Sequence, residues 1–330
     1  MNWNGKNILI SRTDNLGDVM LTLPLAGYLK AQFPDAKIFF LGKAYTRAII
    51  ECCRYVDHFL DIADFKNSEV NHWLIDVCIH VFPEKKLAFK ARKLGIPIRI
   101  GTRNRWFHWL SCNFLPALSR KKSDLHEAML NIRLVQLVLD EKRLFSKKDL
   151  FVFSGFGNVY KVPELFTGLL LHNKIKIILH PKSKGSAREW GLENFGALAA
   201  MLADDGRFQV FVTGTKEEGH LLKDWLYHHP YLIDMTGKLD MEAFIAFIAS
   251  SDAMVAASTG PLHIASALGR KAVGIYAPMK PIHPGRWAPI GPESAVLVED
   301  KECDACRFSQ DCACIRKIGA QRVFALLASA

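Results

Sequence analysis

The amino-acid sequence predicts an α/β protein built from two Rossmann-like domains, each an open parallel sheet with helices on both faces, facing each other across a cleft. Three observations lead there. Strand-length apolar runs alternate with helix-length amphipathic segments along the chain. The rhythm breaks once, between Leu150 and Asn173, where three glycines and Pro163 interrupt it, and then restarts. Finally, 330 residues, half of them hydrophobic, are more than one core usually holds and enough for two. The expected domains are therefore residues 1-160 and 161-330.

The elements follow in order. Lys6 to Ser11 is apolar enough for a buried first strand, and Val19 to Phe33 has helical spacing up to the turn at Pro34-Asp35. Ala36 to Leu41 reads as a second strand, Tyr45 to Cys53 as a helix, and His58 to Ile62 and Trp73 to Val81 as further strands. Lys85 to Leu94 reads as a helix, Ile96 to Ile100 as a strand and Ser123 to Leu139 as a long amphipathic helix. Past the junction, strands are expected at Lys174 to Leu179, Gln209 to Thr213, Leu232 to Asp234, Ala253 to Ala257 and Ala272 to Tyr276. Helices are expected at Leu192 to Leu202, Glu217 to Tyr227, Met241 to Ser250 and Pro261 to Leu268. A terminal helix, Ala320 to Ala328, either packs on the second domain or crosses back to the first.

In such sheets ligands bind at the carboxyl ends of strands, so the loops after strands are where chemistry is sought. The loop HPKSKGSAREW, His180 to Trp190, sets Lys182, Lys184 and Arg188 beside Ser183 and Ser186 around Gly185. That is a diphosphate clamp in composition, although a solvated basic loop would look the same. In ASTGPLHIASALG, Ala257 to Gly269, Ser258 or Thr259 suits a helix cap, Gly260 permits close approach to the backbone, and Pro261 suits the first helical turn. A helix opening this way presents N–H groups and a positive dipole end to an anion, with His263 in its first turn. TGTKEEGH, Thr213 to His220, places Glu217 and Glu218 either to complement a helix dipole or to accept hydrogen bonds from a ribose. In the first domain Asp18 opens a helix; it is either a cap or a general base, and Asp14 competes with it from the loop.

Composition narrows the partners. A net charge of +10 and a pI near 9.2 favour phosphates, nucleic acid or an acidic membrane surface. No zinc-finger, RRM-like or helix-turn-helix signature accompanies the charge, which argues against nucleic acid. No G-x-G-x-x-G follows the first strand of either half, which argues against a dinucleotide oxidoreductase. The longest apolar runs fall short of a membrane span, and MNWNGKN lacks an apolar signal region, so a cytoplasmic protein is expected.

Four stretches, LISRTDNLGDVMLTLP, HPKSKGSAREWGLENF, DMTGKLDMEAFIAFIASSDAMV and ASTGPLHIASALGRKAVGIY, together resemble glycosyltransferase family 9, the heptosyltransferases of lipopolysaccharide synthesis. The resemblance implies a GT-B fold, with an acceptor-binding first domain and a nucleotide-sugar-binding second domain. It also implies inverting transfer from a nucleotide-diphosphate sugar, ADP-heptose favoured, to a phosphorylated, lipid-linked glycan acceptor, with no cofactor. By the same resemblance Asp18 is the catalytic base. Arg188 matches the basic residue on the donor phosphates, Ser183 and Lys184 the first phosphate loop, Glu218 the ribose ligand, and Thr259, Gly260 and His263 the second phosphate site. Ser258 stands where the family usually carries an aspartate tied to the donor sugar hydroxyls. A nucleotide-sugar-binding protein with another donor, or without transfer activity, is the alternative.

In the expected mechanism Asp18 deprotonates an acceptor hydroxyl while Arg188, Lys184 and the helix end near Pro261 stabilise the departing diphosphate, once the cleft closes. No two aspartates are separated by one residue, so no Asp-x-Asp metal motif is present and fixed cations take the metal's part. The basic, aromatic stretch from Lys85 to Leu110 suits a lipid-linked acceptor and peripheral contact with an anionic membrane, or simply a solvated helix face. Cys303, Cys306, Cys312 and Cys314 have C-x2-C and C-x-C spacing; reduced packing thiols or disulfides are favoured over zinc.

Overall fold

The computed structural model describes residues 1–280, 282–299 and 311–329. The chain divides into two compact units, Met1–Gly157 and Asn158–Ala330.

The first unit contains β1 (Asn7–Ser11), α1 (Leu16–Met20), α2 (Leu23–Gln32), β2 (Lys37–Gly42), α3 (Arg47–Glu51), β3 (His58–Asp61), α4 (Ile62–Asn67), β4 (Val77–His80), α5 (Lys85–Lys93), β5 (Ile98–Ile100), α6 (Trp106–Ser111), α7 (Glu127–Leu139) and α8 (Lys147–Ser154). Its strands are all parallel in the order β3-β2-β1-β4-β5. The chain steps outward from β1 to β3, then returns to lay β4 on the other side of β1. The winding direction therefore reverses between β1 and β4, and their carboxyl ends border the crevice where such sheets hold ligands.

The helix expected over Val19 to Phe33 is two helices. Pro24 has no N–H to return to the Met20 carbonyl one turn back, and at the break the Thr22 hydroxyl donates to the Asp18 carbonyl at 2.8 Å. Strand β4 is shorter than the expected Trp73 to Val81, because Leu74 takes a left-handed φ of 49° and the Asn71 side chain bridges both backbone groups of Ile75. Helix α2 lies unusually close to α8. A Cβ on Gly27 would stand 2.1 Å from the Phe153 carbonyl oxygen, and Tyr28, Phe145 and Phe153 pack edge to face around that contact.

The second unit contains α9 (Glu164–Thr167), β6 (Ile175–His180), α10 (Leu192–Asp205), β7 (Phe208–Val212), α11 (Lys216–Tyr227), β8 (Ile233–Asp234), α12 (Met241–Ala249), β9 (Ala253–Ala257), α13 (Gly260–Ala267), β10 (Lys271–Tyr276), α14 (Pro284–Trp287), β11 (Ser294–Val298), α15 (Ala313–Arg316) and α16 (Ala320–Ala328). The parallel order β11-β10-β9-β6-β7-β8 repeats the winding of the first unit, with β11 a strand that the sequence pattern did not announce. Here the reversal lies between β6 and β9. The terminal helix α16 packs on the second unit's own core, where Val323 and Leu327 are fully buried beside Leu198 and Leu202 of α10.

Candidate active site

In the first unit, the chain leaving β1 turns a buried cation back onto its own loop. Arg12, 4% exposed, donates through Nε to Asp14 at 2.7 Å, through Nη1 to Glu127 at 3.3 Å, and through Nη2 to Asp18. Glu127, at the start of α7 and also buried, accepts a second guanidinium from Arg120, whose Nη2 donates to the Asn131 amide oxygen at 2.8 Å. Asn131 in turn donates to the Leu21 carbonyl and the Thr22 hydroxyl, which ties α7 to the break between α1 and α2. Three carboxylates thus share two guanidinium groups beside the crevice at the end of β1.

Asp18 does not cap α1. The capping position is Asn15, without a side-chain bond, and the Asp18 carboxylate goes to Arg12. Burial raises its pKa to about 6, and the Asp14 and Glu127 charges add to that, while Arg12 acts in the opposite direction. The cation loses that contest because its charge is divided among three anions. Asp14, its competitor in the sequence, belongs to the same cluster: burial raises its pKa too, and its carbonyl accepts the Tyr45 hydroxyl at 2.7 Å.

In the second unit, three loops meet the crevice or flank it. After β6, Ser183 is buried, its hydroxyl donating to the Ala187 carbonyl at 3.0 Å and its N–H to Glu189 at 3.1 Å. Lys184 and Gly185 are left-handed, with φ of 48° and 77°, which turns the exposed Lys184 ammonium outward, 3.7 Å from Glu217 on α11. Arg188 follows, half-buried. After β7, Thr215 and Glu218 form a capping box: the Thr215 N–H donates to Glu218 Oε2 at 2.8 Å and the Glu218 N–H to Thr215 Oγ1 at 3.3 Å. Glu218 is therefore buried in a capping role, and one of its oxygens is engaged before any ribose arrives.

After β9, α13 opens at Gly260 with Pro261 in its first turn. Thr259 is the capping residue by position but makes no side-chain cap; its Oγ1 is buried and has no hydrogen-bond partner among the described residues. His263 lies buried one turn in. Burial pushes the Tyr276 phenol, at the end of β10, well above its ordinary value and Ser258 pulls the other way; that phenol donates to the Trp287 carbonyl at 2.7 Å. At the end of β6, His180 faces Thr213, Nδ1 to Oγ1 at 2.9 Å, and burial depresses it to about 4 against the pull of Glu218 and Glu189. The site can thus offer an anion a helix end, a buried hydroxyl and cations while His180 stays neutral.

Sequence reasoning missed Arg12, Glu127, Arg120 and His180. Arg12 and His180 each lie within one residue of a strand's end, which is a readable signal. Glu127 and Arg120 are far along the chain and carry none. Among the described residues no group of three or more His, Cys, Asp or Glu is placed to hold a metal ion. Of the cysteine cluster, Cys303 and Cys306 lie outside the described residues, while Cys312 and Cys314 pack into or against the second unit's core. No helix among the described residues is long and apolar enough to cross a membrane.

Comparison with known proteins shows the family and the fold. The family model for glycosyltransferase family 9 (heptosyltransferase) matches residues 122–314, more than half of the chain. A candidate glycosyltransferase of Haemophilus influenzae is 29% identical over 301 residues, covering 86% of each chain. Among solved structures, a family 9 glycosyl transferase from Veillonella parvula superposes with a TM-score of 0.81 at 18% identity, covering 100% of this chain and 99% of that one. The ADP-heptose lps heptosyltransferase II of E. coli gives 0.74 at 19% identity, with 98% of both chains covered.

Proposed function

Because this chain belongs to glycosyltransferase family 9, we propose that it is an inverting heptosyltransferase that takes heptose from ADP-heptose and delivers it to a phosphorylated, lipid-linked glycan acceptor of the lipopolysaccharide core. The first unit takes the acceptor and the second the donor. The observation that carries the reading is the mouth of α13: an eight-residue helix, with a buried Thr259 hydroxyl that has no partner among the described residues, opens beside the Lys184 and Arg188 loop at the point where the sheet's winding reverses. Such a site suits a diphosphate. The ADP-heptose named for the E. coli structure supports the choice of donor.

In the reaction, Asp18 accepts the proton of the acceptor hydroxyl as that oxygen bonds to the anomeric carbon. The bond from that carbon to the diphosphate oxygen breaks, and the electron pair leaves with the nucleoside diphosphate. Lys184, Arg188 and the α13 N–H groups stabilise the charge that develops there. Asp-x-Asp is absent from the sequence, and these groups supply positive charge at the leaving group, so the transfer is proposed to be metal-independent. The protein is proposed to work in the cytoplasm, in peripheral contact with the inner face of the inner membrane.

Thermal shift with ADP-, UDP-, GDP- and CMP-linked sugars tests the donor. A ligand at a hundredfold its Kd adds about 2.7 kcal/mol of stability, so ADP-heptose is expected to raise the melting temperature by several degrees, with EDTA making no difference. Stabilisation by another nucleotide sugar alone would replace the donor assignment. The second reading, a binding protein of the same fold with a different donor or without transfer, is favoured by Ser258 standing where the family usually carries an aspartate. Donor binding with no transfer to any acceptor would support it.

A further inference from the structure

Helix α6 is turned inside out. Its polar residues His108 and Ser111 are buried, while Trp106, Trp109 and Leu110 are 62%, 61% and 54% exposed. Positions i, i+3 and i+4 share one face of a helix, so the three form a single apolar stripe, and it points to water. The stripe is held in place. Lys85 lies over the Trp106 ring at 4.7 Å, the Trp109 indole N–H donates to the Arg103 carbonyl at 2.9 Å, and Arg92 on α5 donates to the Leu110 carbonyl.

The two helices themselves carry only positive charge, and Glu84, which precedes α5, is paired with Lys66. From Lys85 to Ser123 the sequence has eleven Lys or Arg residues and not one Asp or Glu. Lys85, Lys86, Arg92, Lys93, Arg103 and Arg105 are all exposed around α5 and α6. A groove for a protein partner would need a rim of both signs to fix register. Fixed tryptophans ringed by cations of one sign instead match the chemistry of a bilayer interface, where indoles settle at headgroup depth and each cation near anionic lipid adds attraction.

We propose that the α5–α6 elbow docks this protein on the surface of an anionic phospholipid bilayer, with Trp106, Trp109 and Leu110 entering the headgroup layer and the surrounding lysines and arginines on lipid phosphates. Rigid indoles lose little conformational freedom on insertion, so the platform is ready before it meets the membrane. The inference deepens the peripheral location proposed above and rests on the lipid-linked acceptor only for its purpose.

The test is co-sedimentation of the full chain with vesicles of phosphatidylethanolamine and phosphatidylglycerol, against vesicles of phosphatidylcholine. Partitioning to the anionic vesicles is expected to be at least about tenfold stronger, and to weaken as salt shortens the Debye length. Trp106→Ser/Trp109→Ser is expected to lose about tenfold in partitioning, and Lys86→Glu/Lys93→Glu a similar amount, with far-UV circular dichroism and the ADP-heptose thermal shift retained. Equal binding to both vesicle types, or wild-type binding by the tryptophan variant, overturns the proposal. So does a tryptophan variant whose only change is a halved mass in solution, since the stripe would then be covered by a second copy. Donor stabilisation is read separately, so failure of the membrane reading leaves the transferase reading standing, and the reverse.

Discussion

Replacing Asp18 with asparagine separates its catalytic role from its structural cost. A buried carboxyl held at about 6 rather than its ordinary 3.8 makes ionisation in the folded protein about 3 kcal/mol less favourable than in the unfolded chain. The sign follows from linkage. Below 3.8 the group is protonated in both states and no penalty exists; the penalty grows as pH rises and is complete above about 6. An amide in place of the carboxyl mimics the protonated acid, so Asp18→Asn is expected to match wild type in urea denaturation at pH 4 and to exceed it by up to about 3 kcal/mol at pH 8. Turnover moves the other way. Loss of a general base costs about 10²- to 10⁴-fold in kcat, with the ADP-heptose thermal shift unchanged. Wild-type kcat/KM is expected to fall tenfold per pH unit below about 6. Two results refute the reasoning: near-normal turnover of the variant with donor binding intact, or a variant less stable than wild type at pH 8. The second would mean that Arg12 needs the Asp18 charge more than Asp18 suffers from burial.

Two further expectations concern packing and capping. Gly27→Ala sets a methyl against the Phe153 carbonyl oxygen, backbone on backbone at 2.1 Å before relaxation, so α2 and α8 must part; a loss of about 3 kcal/mol or more is expected by urea denaturation. Thr215→Ala removes one half of the capping box that opens α11 and is expected to cost about 1 kcal/mol by thermal denaturation, because the Glu218 N–H loses its acceptor while the Glu218 carboxylate keeps the backbone N–H of residue 215.

Much of this was legible before the structure. Strand β9 and helix α16 fall where periodicity put them, and both doubly wound sheets follow from the alternation of strand and helix patterns. Asp18 was legible because a polar loop after a buried strand is where such folds place ligands. Its partners were not. Arg12 reads as an ordinary loop cation until burial shows it shared by three carboxylates, and Glu127 arrives from more than a hundred residues away, a distance no local pattern spans. Helix α6 escaped for a different reason. A helix is recognised by apolar residues on its inner face, and here the inner face holds His108 and Ser111. Glu218 shows the converse, since Thr-x-x-Glu is a capping signature that a ribose-ligand reading had overlooked.

The Tyr276 phenol bears on what position 258 can carry. Tyr276 has a single proton, and it goes to the Trp287 carbonyl, so the phenol offers only lone pairs to the neighbouring Ser258. A carboxylate cannot donate. Ser258→Asp alone would ask the phenol to abandon a part-buried carbonyl, at a cost of about 1 kcal/mol, or would set lone pairs against lone pairs. The two positions therefore act as a couple: an aspartate at 258 is accommodated at full stability only when residue 276 changes with it.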